Sequence, residues 1–168
     1  MSLNLLENAT EQIDLLRGLI AQSASMLRDF SRRMELILSQ DHKNISVRDV
    51  EFSEHFSSFC TELRKKLDEY MDFWRQTRME LRCASWEQDY DLSLSAKSFS
   101  LRAKTLSRAT DDFTTAYDEF NRFYKKYTLA KLPVWVLTSC CDDINNFTGK
   151  ILFLAREISK KTEKRSCL

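Results

Sequence analysis

Over residues 92–127 the core-forming positions recur in alternating steps of four and three without a break: Leu92, Ala96, Phe99, Ala103, Leu106, Thr110, Phe113, Tyr117, Phe120, Tyr124 and Tyr127. That is the period of a helix presenting one seam to its neighbours. Ala109, Ala116, Phe123 and Ala130 widen the seam on one side, so about three positions in seven are apolar, the face of a bundle helix rather than of a two-stranded coil. A helix over this stretch is about 55 Å long, which suits a rod-like bundle.

The same spacing recurs elsewhere. Leu6, Ala9, Ile13, Leu16, Ile20, Ser23, Leu27, Phe30, Met34 and Ile37 form a second seam, with Leu5, Leu19 and Met26 on its flank. Ser23, with Gly18 and Ala24 nearby, marks either a close approach of another helix or a thin packing layer, and the thin layer is the simpler reading. After the polar run 39–44, Ser46 reads as an N-cap with Asp49 three residues on, and Ile45 and Val50 stand at the two positions of a hydrophobic staple. The helix that follows carries Phe52, Phe56, Phe59, Leu63, Leu67, Tyr70, Trp74 and Leu81, a stripe that slips by one position near Lys66 as a 3.6-residue period drifts out of a heptad. Residues 83–91 lack a period and form a connection containing Trp86 and Tyr90.

Pro133 ends the long helix, because the residue before a proline is pushed out of helical geometry and proline fits the first turn of a new helix. Burial of the last seam (Leu137, Cys140, Ile144, Phe147, Ile151, Leu154, Ile158) favours a reversal there over a kink. The prediction is therefore an all-α fold: one domain over 1–168, an elongated antiparallel four-helix bundle with coiled-coil-like heptad packing. Its helices run over 5–38, 46–82, 93–131 and 133–161, followed by a basic tail, 160–168.

Composition closes off most chemistry. The two glycines, Gly18 and Gly149, lie far apart, so phosphate-cradling loops, dinucleotide fingerprints and the Gly-x-Ser-x-Gly elbow are excluded. A formal charge of +1 provides no field to gather nucleic acid. The uncharged run from residue 132 to 141 is far short of the roughly 20 residues that span a bilayer. The first residues have no basic flank and meet Glu7 early, unlike a secretory signal. Five cysteines (Cys60, Cys83, Cys140, Cys141, Cys167), an odd number without Cys-x-x-C spacing, read as reduced thiols in a cytoplasmic protein.

The remaining candidates read as structure. His55 follows Glu51 and Glu54, but no Glu-x-x-His turn of a di-metal bundle occurs. His42 has no ligand neighbour, and the acid pairs Asp111-Asp112 and Asp142-Asp143 are solvated helix faces rather than a magnesium site. No cofactor, metal or catalytic residue is expected, and the chain is not read as an enzyme.

Two features exceed a plain bundle. The last helix carries Val134, Trp135, Leu152 and Phe153 off its seam, and apolar surface of that kind marks a binding face. Together with Trp86 and Tyr90 these residues form the predicted interaction surface of a protein-interaction or assembly module, a scaffold whose partner is another protein or a second copy. The alternative is a membrane-perturbing bundle that uses residues 132–155 and a tail of Lys160, Lys161, Lys164 and Arg165 beside Cys167, where basic charge next to an acylatable thiol would hold an anionic lipid surface.

Overall fold

The fold is described from a computed structural model, which describes residues 2–39, 45–84, 90–126 and 132–163. Four helices make up the protein: α1 (Ser2–Leu38), α2 (Ile45–Cys83), α3 (Tyr90–Tyr124) and α4 (Val134–Glu163). No strand occurs among the described residues. The longest helix, of 39 residues, spans about 58 Å.

Cross-helix contacts fix the directions. Phe30 meets Phe52 and Phe56, while Leu16 and Ile20 line the same small space as Leu67 and Tyr70, so α1 and α2 are antiparallel. Thr110 pairs with Thr148 and Tyr117 with Thr138, so α3 and α4 are antiparallel as well, and the chain reverses at Pro133. The lateral pairs run parallel. Asp14 and Arg28 of α1 meet Arg102 and Asp112 of α3 in the same order, while Arg64 and Trp74 of α2 meet Asp143 and Phe147 of α4. Around the bundle the order is α1, α2, α4, α3, with α1 and α4 on one diagonal and α2 and α3 on the other. α2 and α3, consecutive in the chain, are therefore not side by side in the bundle.

α1 and α3 make the most extensive contact. Both bury small residues, Ala9, Ala24 and Ser31 in one and Ala96, Ala103 and Ala116 in the other, and small side chains let helix axes approach. Gly18 has no part in this, since a Cβ added there would meet nothing within 4 Å. All ten residues of the α1 seam are buried. In α3 the seam drifts, so that Ala116 is fully buried and Tyr117 only half so, its hydroxyl donating to Thr138 at 2.6 Å. The Thr138 hydroxyl is itself committed to the Val134 carbonyl at 3.0 Å, which makes the tyrosine the donor.

α3 ends at Tyr124, earlier than the expected 131. The Lys126 amide bonds the Phe123 carbonyl at 3.0 Å, the i+3 geometry of a tightening last turn. Because α4 already begins alongside this point, further turns of α3 would have no facing seam. Tyr127 and Ala130 lie outside the described residues.

The aromatic residues form two groups, one around Trp74 with Phe73, Phe99 and Phe147 and the other near the C-terminal end of α1. Phe30 meets Phe52 and Phe56 edge to face at 5.7 and 5.4 Å, Phe56 stacks on Phe120 at 4.8 Å across the diagonal, and Phe120 stacks on Tyr124. The Arg33 guanidinium covers the cluster from outside, 5.6 Å from the Phe30 and Phe52 rings, a cation–π cap.

Candidate docking cleft

Arg64 ties α2 to α4. Its guanidinium pairs with Asp143 and Asp68, each at 2.7 Å, and donates to the Ser139 hydroxyl at 2.9 Å. Burial pulls the Arg64 pKa down, but the bonds to Asp143 and Asp68 outweigh it and the net direction is up. The charge is therefore fixed.

Beyond this clamp, toward the C-terminal ends of both helices, α2 and α4 leave a cleft of about 630 Å³ between residues 71–83 of one and 147–154 of the other. That volume lies within the range of ordinary ligand sites. Trp74, Ile151 and Leu154 are buried at its floor, Met71 and Phe147 are half-buried, and Met79 is 68% exposed on the wall.

The rim has one sign. Arg75, Arg78 and Arg82 follow one another by three and four residues, which puts them on one stripe of α2, and Lys150 stands on α4. No acid is among the lining residues. Arg75 reaches Asp72 at 3.6 Å with both side chains about three-quarters exposed, a contact of little energetic weight. Arg78, Arg82 and Lys150 make no ion pair with any described residue.

Two groups at the cleft are chemically open. The Trp74 indole N–H is buried and has no hydrogen-bond partner among the described residues, an uncommon state for a buried donor. Cys83, at one end, is an exposed free thiol. The other described thiols differ: burial pushes Cys60 up to about 12 and Cys140 up to about 11, and raises Cys141. Thiols held neutral are poor nucleophiles.

The residues singled out in the sequence are distributed as follows. Trp135 is 76% and Phe153 53% exposed, while Val134 and Leu152 are half-buried against the core. Trp135 and Phe153 are five turns apart on one side of α4, about 27 Å, with exposed Asp142, Asn146 and Gly149 between them. They do not form a continuous patch. Tyr90 opens α3, and Trp86 lies outside the described residues, as do Lys164, Arg165 and Cys167; Lys160 and Lys161 are exposed near the end of α4. Asp112 is engaged by Arg28 and Asp143 by Arg64, while Glu51, Glu54 and His55 are exposed. No group of three metal-ligating side chains occurs, and no helix is long and apolar enough to cross a membrane, among the described residues.

Sequence reasoning placed Trp74 on a seam but passed over Met71, Met79 and the arginine stripe. The detectable signal was Arg75, Arg78 and Arg82 on one side of α2 without an acid four residues before or after any of them. Comparison of the chain with protein-family models, with curated proteins and with solved structures returns no match.

Proposed function

We propose that this chain is a non-enzymatic interaction module that receives a helical segment of a partner protein in the cleft between α2 and α4. The observation that carries the reading is an open cleft between α2 and α4 with an apolar floor of Trp74, Ile151 and Leu154 and a charged rim of one sign. Two further clefts of about 510 Å³ lie between α1 and α2, but both have mixed charge, Lys66 with Glu69 beside Leu15 and Phe73, and Arg33 and Lys66 with Glu62 beside Met26 and Phe59. The remaining exposed apolar side chains, such as Leu36 and Leu101, are single residues of the kind normal on a surface. Grooves between helices are a recurrent place for an amphipathic helix to lay its apolar face. Reduced, buried Cys60, Cys140 and Cys141 support a cytoplasmic setting as part of the same proposal.

Cys83 provides the test. An environment-sensitive fluorophore is attached to it in a Cys167→Ser background, and peptides selected by display on the unlabelled protein are titrated in. Selected binders should blue-shift the reporter and be displaced by one another. Binders that leave the reporter unmoved would put docking on another face and overturn the reading.

A further inference from the structure

The proposed docking reading leaves the partner's chemistry open, and the cleft constrains it. We infer that the occupant is an acidic amphipathic helix: a segment of about three turns with apolar residues on one side and carboxylates flanking them. This inference rests on the proposed function and deepens it.

Length comes first. The α2 wall covers residues 71–83, about 18 Å along its axis, which equals a little over three helical turns. A volume of about 630 Å³ takes a row of inserted side chains rather than an entire helix, so the occupant must keep a second face outside. That geometry is met by a helix anchored through positions i, i+3, i+4 and i+7.

Charge decides the rest. Arg75, Arg78 and Arg82 rise along α2 in steps of about 4.5 and 6 Å, the spacing of residues three and four apart on any other helix. Carboxylates at such positions on a docked helix can each face one guanidinium, with Lys150 serving the opposite edge. No lining residue is acidic, and Arg78, Arg82 and Lys150 have no ion-pair partner among the described residues, so nothing in the described cleft competes for these contacts. A basic segment would meet four like charges, which discriminates by repulsion as well as attraction. A single anionic headgroup would satisfy only part of a rail spread over about two turns of α2 and across to Lys150 on α4, which disfavours a lipid.

The walls and floor fit the same occupant. Met71 and Met79 are flexible, polarizable side chains of the kind that mould to an inserted anchor. The buried Trp74 N–H is a donor that lacks an acceptor among the described residues, and an incoming oxygen that reached it would relieve an unsatisfied group.

The experiment uses the full chain and a fluorescein-labelled amphipathic peptide of about 16 residues, with leucine and phenylalanine on one face and glutamate on the other. Its comparison peptide has lysine in place of every glutamate, and phosphatidylglycerol vesicles provide a lipid arm. The glutamate peptide should bind at least about tenfold more tightly than the lysine peptide, and the difference should shrink with salt. Arg78→Glu/Arg82→Glu should weaken the glutamate peptide at least about tenfold and strengthen the lysine peptide. Lys150→Glu, on the other helix, should act in the same direction and carries the test if the double variant folds poorly. Equal binding of the two peptides, or indifference to both variants, overturns the acidic partner. Vesicle binding that shifts the Cys83 reporter while the glutamate peptide does not would assign the cleft to lipid. If displayed binders move the Cys83 reporter but are not acidic, the docking function stands and only this inference falls.

Discussion

Thr110 and Thr148 are 2% and 4% exposed, and their hydroxyls meet at 2.7 Å between α3 and α4. Replacing one by valine keeps its shape and leaves the other hydroxyl buried without its cross-helix partner. An orphaned buried hydroxyl costs about 1–3 kcal/mol. The survivor has one escape, since a helical threonine can turn its hydroxyl onto the carbonyl four residues back, and Thr138 already does this. Each single substitution should therefore fall at the low end, about 1 kcal/mol, a drop of about 2–4 °C in melting temperature for a chain of this size. The double substitution removes both hydroxyls together and sets two methyl groups against each other, which is close to neutral. The two changes are thus strongly non-additive, with a coupling near 2 kcal/mol. Urea unfolding of the four proteins measures it, provided the m-value is constant. If Thr110→Val/Thr148→Val loses the sum of the two singles, the hydroxyls are not bonded to each other and the α3–α4 register described here is wrong.

Other consequences concern the core, the helix backbones and the thiols. Phe56→Ala, which removes a fully buried ring lying 4.8 Å from Phe120, should cost about 3–5 kcal/mol by denaturant unfolding; a loss under half of that would mean the aromatic cluster is loosely packed. Gly149→Ala should stabilise by about 0.5–1 kcal/mol, because the site is helical, its φ is not positive, and an added Cβ meets nothing within 4 Å. Destabilisation would show that this glycine faces something else. In a Cys167→Ser background, maleimide near pH 8 should label Cys83 rapidly and reach Cys60, Cys140 and Cys141 only on unfolding. Burial raises the Cys60 pKa from 9.0 to about 12, so above pH 9 the unfolded chain releases a proton that the folded chain keeps. Stability should fall from about pH 9 toward pH 12, and Cys60→Ala should fall less steeply; identical slopes would remove Cys60 from the account.

Where each helix turns its apolar edge was legible in the sequence because burial on a helix leaves a local periodic trace. The α1 residues from Leu6 to Ile37 are buried in the expected order, including Ser23. The trace blurs where period and heptad separate, as at Ala116 and Tyr117, or where a facing helix ends, as beyond Tyr124. Pairing was not legible. A heptad seam says that a neighbour exists without naming it, so the parallel contacts of α1 with α3 and of α2 with α4 left no local mark. The cleft was hidden for the same reason, since an unfilled space between residues 71–83 and 147–154 belongs to two segments at once. Trp135 and Phe153, conspicuous in sequence, proved to be two separate exposures on one helix.

The lateral arrangement bears on how the protein comes into being. The partners Arg28 and Asp112 are 84 residues apart in the chain, and Arg102 and Asp14 are 88 apart. During synthesis the first two helices emerge first, yet the side of α1 that bears Asp14 and Arg28 has nothing to rest on until more than half of the chain has followed. Closing so long a span costs little more than closing a short one, growing only with the logarithm of its length, but it is slower to find. A newborn fragment is therefore adhesive, and two severed halves, each unstable by itself, should recover a whole when mixed.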